Sequence, residues 1–209
     1  MKDSNYIAII DYGMGNINSI KNMLRYLGYT GILTSDPKVI ERSKKIILPG
    51  VGHYKKAMEN IHSLGLDDVI KESVSNIGIP LLGICLGMQL LLSHSEEGDC
   101  DGLDLIHGQV KKFELNTDEY KIPHMGWDYI NITKNDNPLF SKLQENPRYY
   151  FVHSYYASCN NTEDVLAETN YGQVFHSIIG HDNVVGMQFH PEKSHKYGMK
   201  ILGNFLEGM

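Results

Sequence analysis

The sequence predicts an α/β fold: an open, mostly parallel sheet with helices on both faces, and extra antiparallel strands in the C-terminal half. Two observations carry that expectation. Apolar runs at Ile7 to Ile10, Ile46 to Leu48 and Ile79 to Ile84 are continuous rather than alternating, as expected of strands buried on both faces. Segments with apolar residues at helical spacing separate those runs, which is the βαβ rhythm of a parallel sheet. Beyond Leu105 the texture changes to short, partly alternating strands.

Ile7 to Ile10 is the first strand. Asn16 or Asn18 can then cap a helix that places Ile17, Ile20, Met23, Leu24 and Leu27 on one face, and Gly28 stops it. The strand Ile46 to Leu48 runs into the turn Pro49-Gly50-Val51-Gly52, followed by helical patterns over Tyr54 to Ile61 and Leu66 to Val74. Ile79 to Ile84 ends at Cys85, and a helical pattern restarts near Leu86. Later strands are expected around Val110 to Phe113, Tyr129 to Ile132, Arg148 to Val152, Val165 to Glu168 and Val184 to Phe189, with a last helix from about Ser194 to Leu206. At 209 residues the chain fits one domain, 1–209, with no room for a second.

A net charge of -6 and scattered basic pairs such as Lys44-Lys45 and Lys111-Lys112 leave no stripe for nucleic acid. Three cysteines, Cys85, Cys100 and Cys159, are odd in number and form no disulfide framework, as expected in a reducing compartment. Met1 to Asn5 lead into only four apolar residues before Asp11, too short for a signal sequence or a membrane span, so the expected location is the cytoplasm. Gly13 and Gly15 follow a strand, but Asn18 stands where a dinucleotide fingerprint needs its third glycine. The ten histidines form no His-Glu-x-x-His helix, and His190 and His195 lack companions at ligand spacing, so neither metal nor cofactor is expected.

The most informative stretch is Gly83-Ile84-Cys85-Leu86-Gly87-Met88-Gln89. A reactive side chain on a sharp strand-to-helix turn needs small neighbours, and Gly83 and Gly87 supply them on either side of Cys85. Helix N-terminal amides beside the sulfur favour the thiolate. The ordinary alternative is a small buried cysteine. A second stretch, Gly186 to Ser194, contains His190-Pro191-Glu192, where Pro191 keeps the preceding residue extended and lets His190 and Glu192 project together. Glu192 can then fix the tautomer of His190, whose other nitrogen serves as general base. The alternative for that segment is a strand-end histidine followed by a helix-start acid.

These two stretches, with the Pro49 to Gly52 turn, closely resemble the triad-type (class I) glutamine amidotransferase family. Asp11 to Asn16, His124-Met125-Gly126-Trp127, Tyr150 to Tyr155 and Lys193-Ser194 narrow the resemblance to the glutaminase subunits that feed a (β/α)8-barrel cyclase in histidine biosynthesis. The resemblance implies hydrolysis of L-glutamine to glutamate and ammonia by Cys85, His190 and Glu192 through a thioester. It also implies an oxyanion hole from the Val51–Gly52 segment and Leu86, and substrate contacts from Gln89, Glu97, Ser154 and Tyr155. A heterodimer interface with the barrel would lie at Asn16, Trp127, Tyr150 and Lys193.

Read without the resemblance, Pro49 to Gly52 is an ordinary turn, Gln89 and Glu97 are helix-surface residues, and Trp127 is a core residue; the resemblance divides Trp127 evenly between core and interface. Asp128 departs from the family, which commonly has asparagine after the Gly-Trp pair. That departure keeps a paralogous subunit, supplying ammonia to amidinate a surface sugar, as the alternative enzyme. A catalytically silent regulatory subunit is the non-enzyme alternative, and the joint presence of Cys85, His190 and Glu192 argues against it.

Overall fold

The computed structural model describes residues 5–116 and 118–208; Met1 to Ser4, the start of the segment judged too short for a signal sequence, lie outside the described residues. The first half runs β1 (Tyr6–Ile10), α1 (Ile17–Tyr26), β2 (Thr30–Thr34), α2 (Pro37–Ile40), β3 (Lys45–Leu48), α3 (Tyr54–Ser63), α4 (Leu66–Ser75), β4 (Leu81–Ile84) and the single turn α5 (Leu86–Gln89). The second half runs β5 (Leu92–Ser95), β6 (Cys100–Asp101), β7 (Ile106–Lys112), β8 (His124–Tyr129), β9 (Asn131–Ile132), β10 (Arg148–His153), β11 (Tyr155–Cys159), β12 (Val165–Tyr171), β13 (Gln173–His181), β14 (Val184–Met187) and α6 (His195–Gly208).

The main sheet has the order β2-β1-β3-β4-β14-β13-β11-β7-β5-β6. Its first five strands are parallel neighbours, and antiparallel pairing begins at β14 with β13. Strand β1 shows why the sequence run is unbroken: Ile7 and Ile9 enter one core with Ile20, Leu24 and Phe205, while Ala8 and Ile10 enter another with Tyr54, Ile61 and Ile70. Alternate side chains therefore meet helices on opposite faces, and both sets must be apolar. Lys45 heads β3 and is buried, and its ammonium donates to the Phe205 carbonyl at 2.8 Å, which serves one of the open carbonyls in the last turn of α6.

Gly28 ends α1 as expected. It adopts φ +85°, and the amides of Gly28 and Tyr29 return to the carbonyls of Arg25 and Leu24 at 3.1 and 2.8 Å. Asn16 occupies the N-cap position but its side chain does not cap the helix. The expected helix after Cys85 is one turn long, because the carbonyls of Leu90 and Leu91 are claimed by the amides of Leu103, Leu105 and Ile106. The strand expected over Tyr129 to Ile132 is divided: β8 pairs with β10 in a separate ribbon, whereas β9 pairs with β12.

The glycines around Cys85 answer to space. A Cβ on Gly87 would stand 1.9 Å from the Leu48 carbonyl oxygen, one on Gly83 2.6 Å from the Gly87 oxygen, and one on Gly50 2.6 Å from the Tyr12 hydroxyl. By contrast, Gly203 inside α6 has Leu27 Cδ2 at 3.7 Å as its nearest neighbour. Gly87→Ala is accordingly expected to cost at least about 3 kcal/mol through backbone overpacking, and Gly203→Ala to add about 0.5–1 kcal/mol through helix propensity. Urea unfolding midpoints of the two variants should move in opposite directions.

Candidate active site

Cys85 joins β4 to α5 at φ 54° and ψ -110°, a conformation that costs a non-glycine residue on the order of 1–3 kcal/mol. Its amide donates to the Met187 carbonyl at 2.7 Å, so the turn is pinned to β14, and its own carbonyl accepts from the amides of Met88 and Gln89. The side chain is 7% exposed and lies at the wall of a cavity of about 450 Å³. That volume suits a small ligand such as a single amino acid.

Strand β14 delivers the histidine to the same cavity. His190 Nδ1 donates to Glu192 Oε1 at 2.8 Å, and Asn16 Nδ2 donates to the same oxygen at 3.4 Å. With Nδ1 carrying that hydrogen, Nε2 is the basic nitrogen; it is buried and has no hydrogen-bonded protein partner. Burial acts to lower the His190 pKa, but the Cys85 sulfur and the Glu192 carboxylate outweigh it and hold the imidazole well above the ordinary histidine range. The segment is braced by Ser194, whose hydroxyl donates to the His190 carbonyl at 2.6 Å and accepts from the Tyr150 amide at 2.9 Å.

Val51, Gly52 and Leu86 line the cavity together with Cys85, as do Gln89, Glu97, Ser154 and Tyr155. Gln89 is buried and Glu97 lies in the turn after β5, so neither is the helix-surface residue that the sequence alone suggested. Glu97 Oε2 accepts from the Tyr54 amide at 2.8 Å and thereby caps α3. The Tyr155 carbonyl already accepts from Gln89 Nε2 and His153 Nδ1, at 2.9 and 2.8 Å, so both of its lone pairs are used. Of the two glycines flanking Val51, Gly50 is hemmed in by Tyr12 and Gly87, and Gly52 is the one at positive φ, +116°.

His153, in the cavity wall, forms with His124 a buried histidine pair that sequence reasoning missed. Because His153 Nδ1 must donate to Tyr155, a neutral His153 can only accept at Nε2, so His124 Nδ1 donates across their 3.1 Å contact. His124 Nε2 is then a bare lone pair 3.6 Å from Asp128 Oδ2, and burial raises the pKa of that carboxyl. His124 and His153 lie directly opposite each other in the β8–β10 ribbon, a cross-strand register that neither segment's own sequence records.

The other face of this ribbon is apolar and open. Met125, Trp127 and Tyr129 are 61%, 40% and 55% exposed, which takes Trp127 out of the core. Trp127 stacks on His195 at 5.4 Å, and the Lys193 ammonium sits 5.6 Å from the Tyr150 ring centre. Three of the four expected interface residues, Trp127, Tyr150 and Lys193, are thus gathered on one side. Asn16 lies behind them against Glu192.

Among the described residues no helix is long and apolar enough to cross a membrane. Comparison with known proteins gives four matches. The family model described as glutamine amidotransferase class-I matches residues 8–209. The chain is 50% identical over 201 residues to imidazole glycerol phosphate synthase subunit HisH 2 of Methanococcus maripaludis, covering 96% of this chain and 98% of that one. It is also 50% identical over 200 residues to subunit HisH of Bacillus cereus, covering 95% and 93%. Among solved structures, PurLQS from Thermotoga maritima shares the fold, with a TM-score of 0.70 at 18% identity over 96% of this chain and 97% of that one.

The histidine pair generates a pH prediction. Burial pushes His153 down to about 3 and His124 down to about 4, so both stay neutral in the fold at pH values where the unfolded chain, titrating near about 6.5, binds protons. Their contribution is constant above that value and is lost as pH falls below it. His124→Gln should therefore be destabilised at neutral pH but regain about 2 kcal/mol relative to wild type by about pH 5, as read by urea unfolding at the two pH values.

Proposed function

The chain belongs to the class-I glutamine amidotransferase family, and from that premise we propose that it is the glutaminase subunit of an imidazole glycerol phosphate synthase. The observation that carries the chemistry is Cys85 on its strained turn, facing the cavity that holds the free Nε2 of a Glu192-anchored His190. Residues 1–209 act as one domain, and the cytoplasm is the setting.

His190 Nε2 takes the Cys85 proton, and the sulfur attacks the side-chain carboxamide carbon of L-glutamine. The carbonyl oxygen becomes an oxyanion facing the amides of Leu86 and the Val51–Gly52 segment, and losing one such donor costs on the order of 3 kcal/mol. The C–N bond breaks as His190 returns its proton to the departing ammonia, leaving a thioester on Cys85. Water deprotonated by the same imidazole releases glutamate, and the proton restores the thiol. Gln89 presents Oε1 to the substrate's amino-acid end, because its nitrogen is already used by Tyr155 and Gln188. Glu97 and Ser154 line the same cavity.

Ammonia released into water at neutral pH is protonated and ceases to be a nucleophile, so the reaction is useful only beside an acceptor. A (β/α)8-barrel cyclase docking as a heterodimer on Trp127, Tyr150 and Lys193 meets that need. The exposed apolar face of β8 and the stacking at Trp127 support this surface. A second reading, ammonia supply for amidination of a surface sugar, is favoured by Asp128, which puts a carboxylate at the back of that face.

Cys85→Ala is expected to abolish glutamine hydrolysis while the complex still makes product from ammonium, and the wild-type gene should restore growth of a histidine auxotroph lacking its glutaminase subunit. Failure to restore growth, with glutaminase intact, selects the surface-sugar reading. Separately, the lone chain should hydrolyse glutamine poorly and gain about 10²- to 10³-fold on adding the barrel with its nucleotide ligand, because rotation of the peptide next to Gly52 completes the oxyanion hole. Steady-state glutaminase assays of the chain alone, with barrel, and with barrel plus ligand measure that gain.

A further inference from the structure

Gln188 lies between the end of β14 and the catalytic histidine, fully buried, with its amide nitrogen bonded to the Ser177 carbonyl at 2.9 Å. Its side chain is not needed to hold the strand. Instead Gln188 Nε2 points at the Cys85 sulfur at 3.8 Å, while its Oε1 accepts from Gln89 Nε2 at 3.0 Å. The same Gln89 nitrogen donates to the Tyr155 carbonyl at 2.9 Å.

The polarity of this chain is fixed from its far end. A carbonyl oxygen only accepts, so Gln89 must turn its nitrogen toward Tyr155. The second hydrogen of that nitrogen then requires an acceptor, so Gln188 presents oxygen to Gln89 and nitrogen to the sulfur. Of the groups around Cys85, Tyr12 approaches from the loop after β1, His190 from the segment after β14, and His153, Lys193 and Glu97 from across the cavity. Each of these side chains carries an ionisable group; the Gln188 amide does not, so its donor is present at every pH and binds more strongly once the sulfur is anionic.

We propose that Gln188 is a further catalytic residue, whose side-chain amide donates a hydrogen bond to the Cys85 sulfur and stabilises the thiolate that forms when His190 takes the proton. Gln89 and the Tyr155 carbonyl are the positioning groups that hold this donor. The proposal rests on Cys85 being the nucleophile. It gives Gln89 two duties, one toward the substrate and one toward Gln188, so substrate binding and orientation of the sulfur's donor share a side chain.

The test uses Gln188→Met, which keeps the length of the side chain and removes the donor, and Gln188→Glu, which keeps the acceptor for Gln89 and turns oxygen toward the sulfur. Each is made in a chain whose Cys100 and Cys159 are replaced by Ser, so that iodoacetamide reports Cys85 alone. The midpoint of alkylation rate against pH should rise by about one unit in Gln188→Met, and further in Gln188→Glu, while glutamine kcat with the barrel partner falls about tenfold at a nearly constant KM. A folded Gln188→Met protein with the wild-type alkylation profile overturns the proposal. Should that variant not fold, the Gln188 side-chain amide protons of the wild-type chain, followed by NMR, are expected to shift as Cys85 ionises and to stay still in Cys85→Ala; invariant shifts in the wild type overturn it equally. Hydrolysis by Cys85→Ala would instead remove the nucleophile assignment itself, which separates the two failures.

Discussion

The rest of this structure depends on backbone crowding at the turn between β4 and α5. The Leu48 carbonyl stands where a Cβ on Gly87 would lie, and the Gly87 carbonyl stands where one on Gly83 would lie. Only with both side chains absent can Cys85 hold φ 54° with its amide on the Met187 carbonyl. That strain is carried by neighbours buried on both faces of the sheet, where the surrounding packing over-determines a single backbone path. The result is a sulfur presented at the C-terminal ends of parallel strands, beside the segment that leaves β14.

The second organising feature is a set of polar contacts that tie the His190–Ser194 segment to the β8–β10 ribbon. The His190 amide donates to the Tyr150 carbonyl at 2.9 Å, and the Tyr150 amide donates to Ser194 Oγ at the same distance. The inward face of the ribbon carries His124 and His153, whose fixed tautomers lead to Tyr155 and from there through Gln89 and Gln188 to Cys85. Its outward face carries Met125, Trp127 and Tyr129. One antiparallel pair therefore backs the cavity at Cys85 with one set of side chains and leaves an exposed apolar face with the alternate set, a direct consequence of the two-residue period of a strand. Burial also makes every donor in this set matter, since an unpaired buried polar group costs more than a made bond returns.

Several parts of this arrangement were legible in order along the chain. The parallel strands stood out at Ile7 to Ile10 and Ile46 to Leu48 because both of their faces are apolar. The nucleophile turn stood out because glycine spacing is a local steric requirement. His190 and Glu192 were legible because Pro191 fixes the local geometry between them. Other elements were not. β2 is short and half-exposed, so its five residues carry weak periodicity, and β5 begins inside a run, Leu90 to Leu92, that reads equally well as helix. β11 and β13 have mixed patterns because they pair between strands whose faces differ in burial.

What the sequence determined by itself was the chemistry that local rules dictate: a strained cysteine between glycines, an extended histidine held by proline with a carboxylate two residues on, and a sheet whose strands are apolar on both sides. What only the tertiary structure decided was which distant groups meet. Asn16 left its helix cap for Glu192, Gln188 turned to the sulfur under the direction of Gln89, and His124 found His153 across a ribbon. Side-chain hydrogen bonds of this kind join residues up to 176 positions apart and depend on angles and burial set by the whole fold. No periodicity records them, because a buried glutamine or histidine is chosen for the partner it meets and not for its neighbours in the chain.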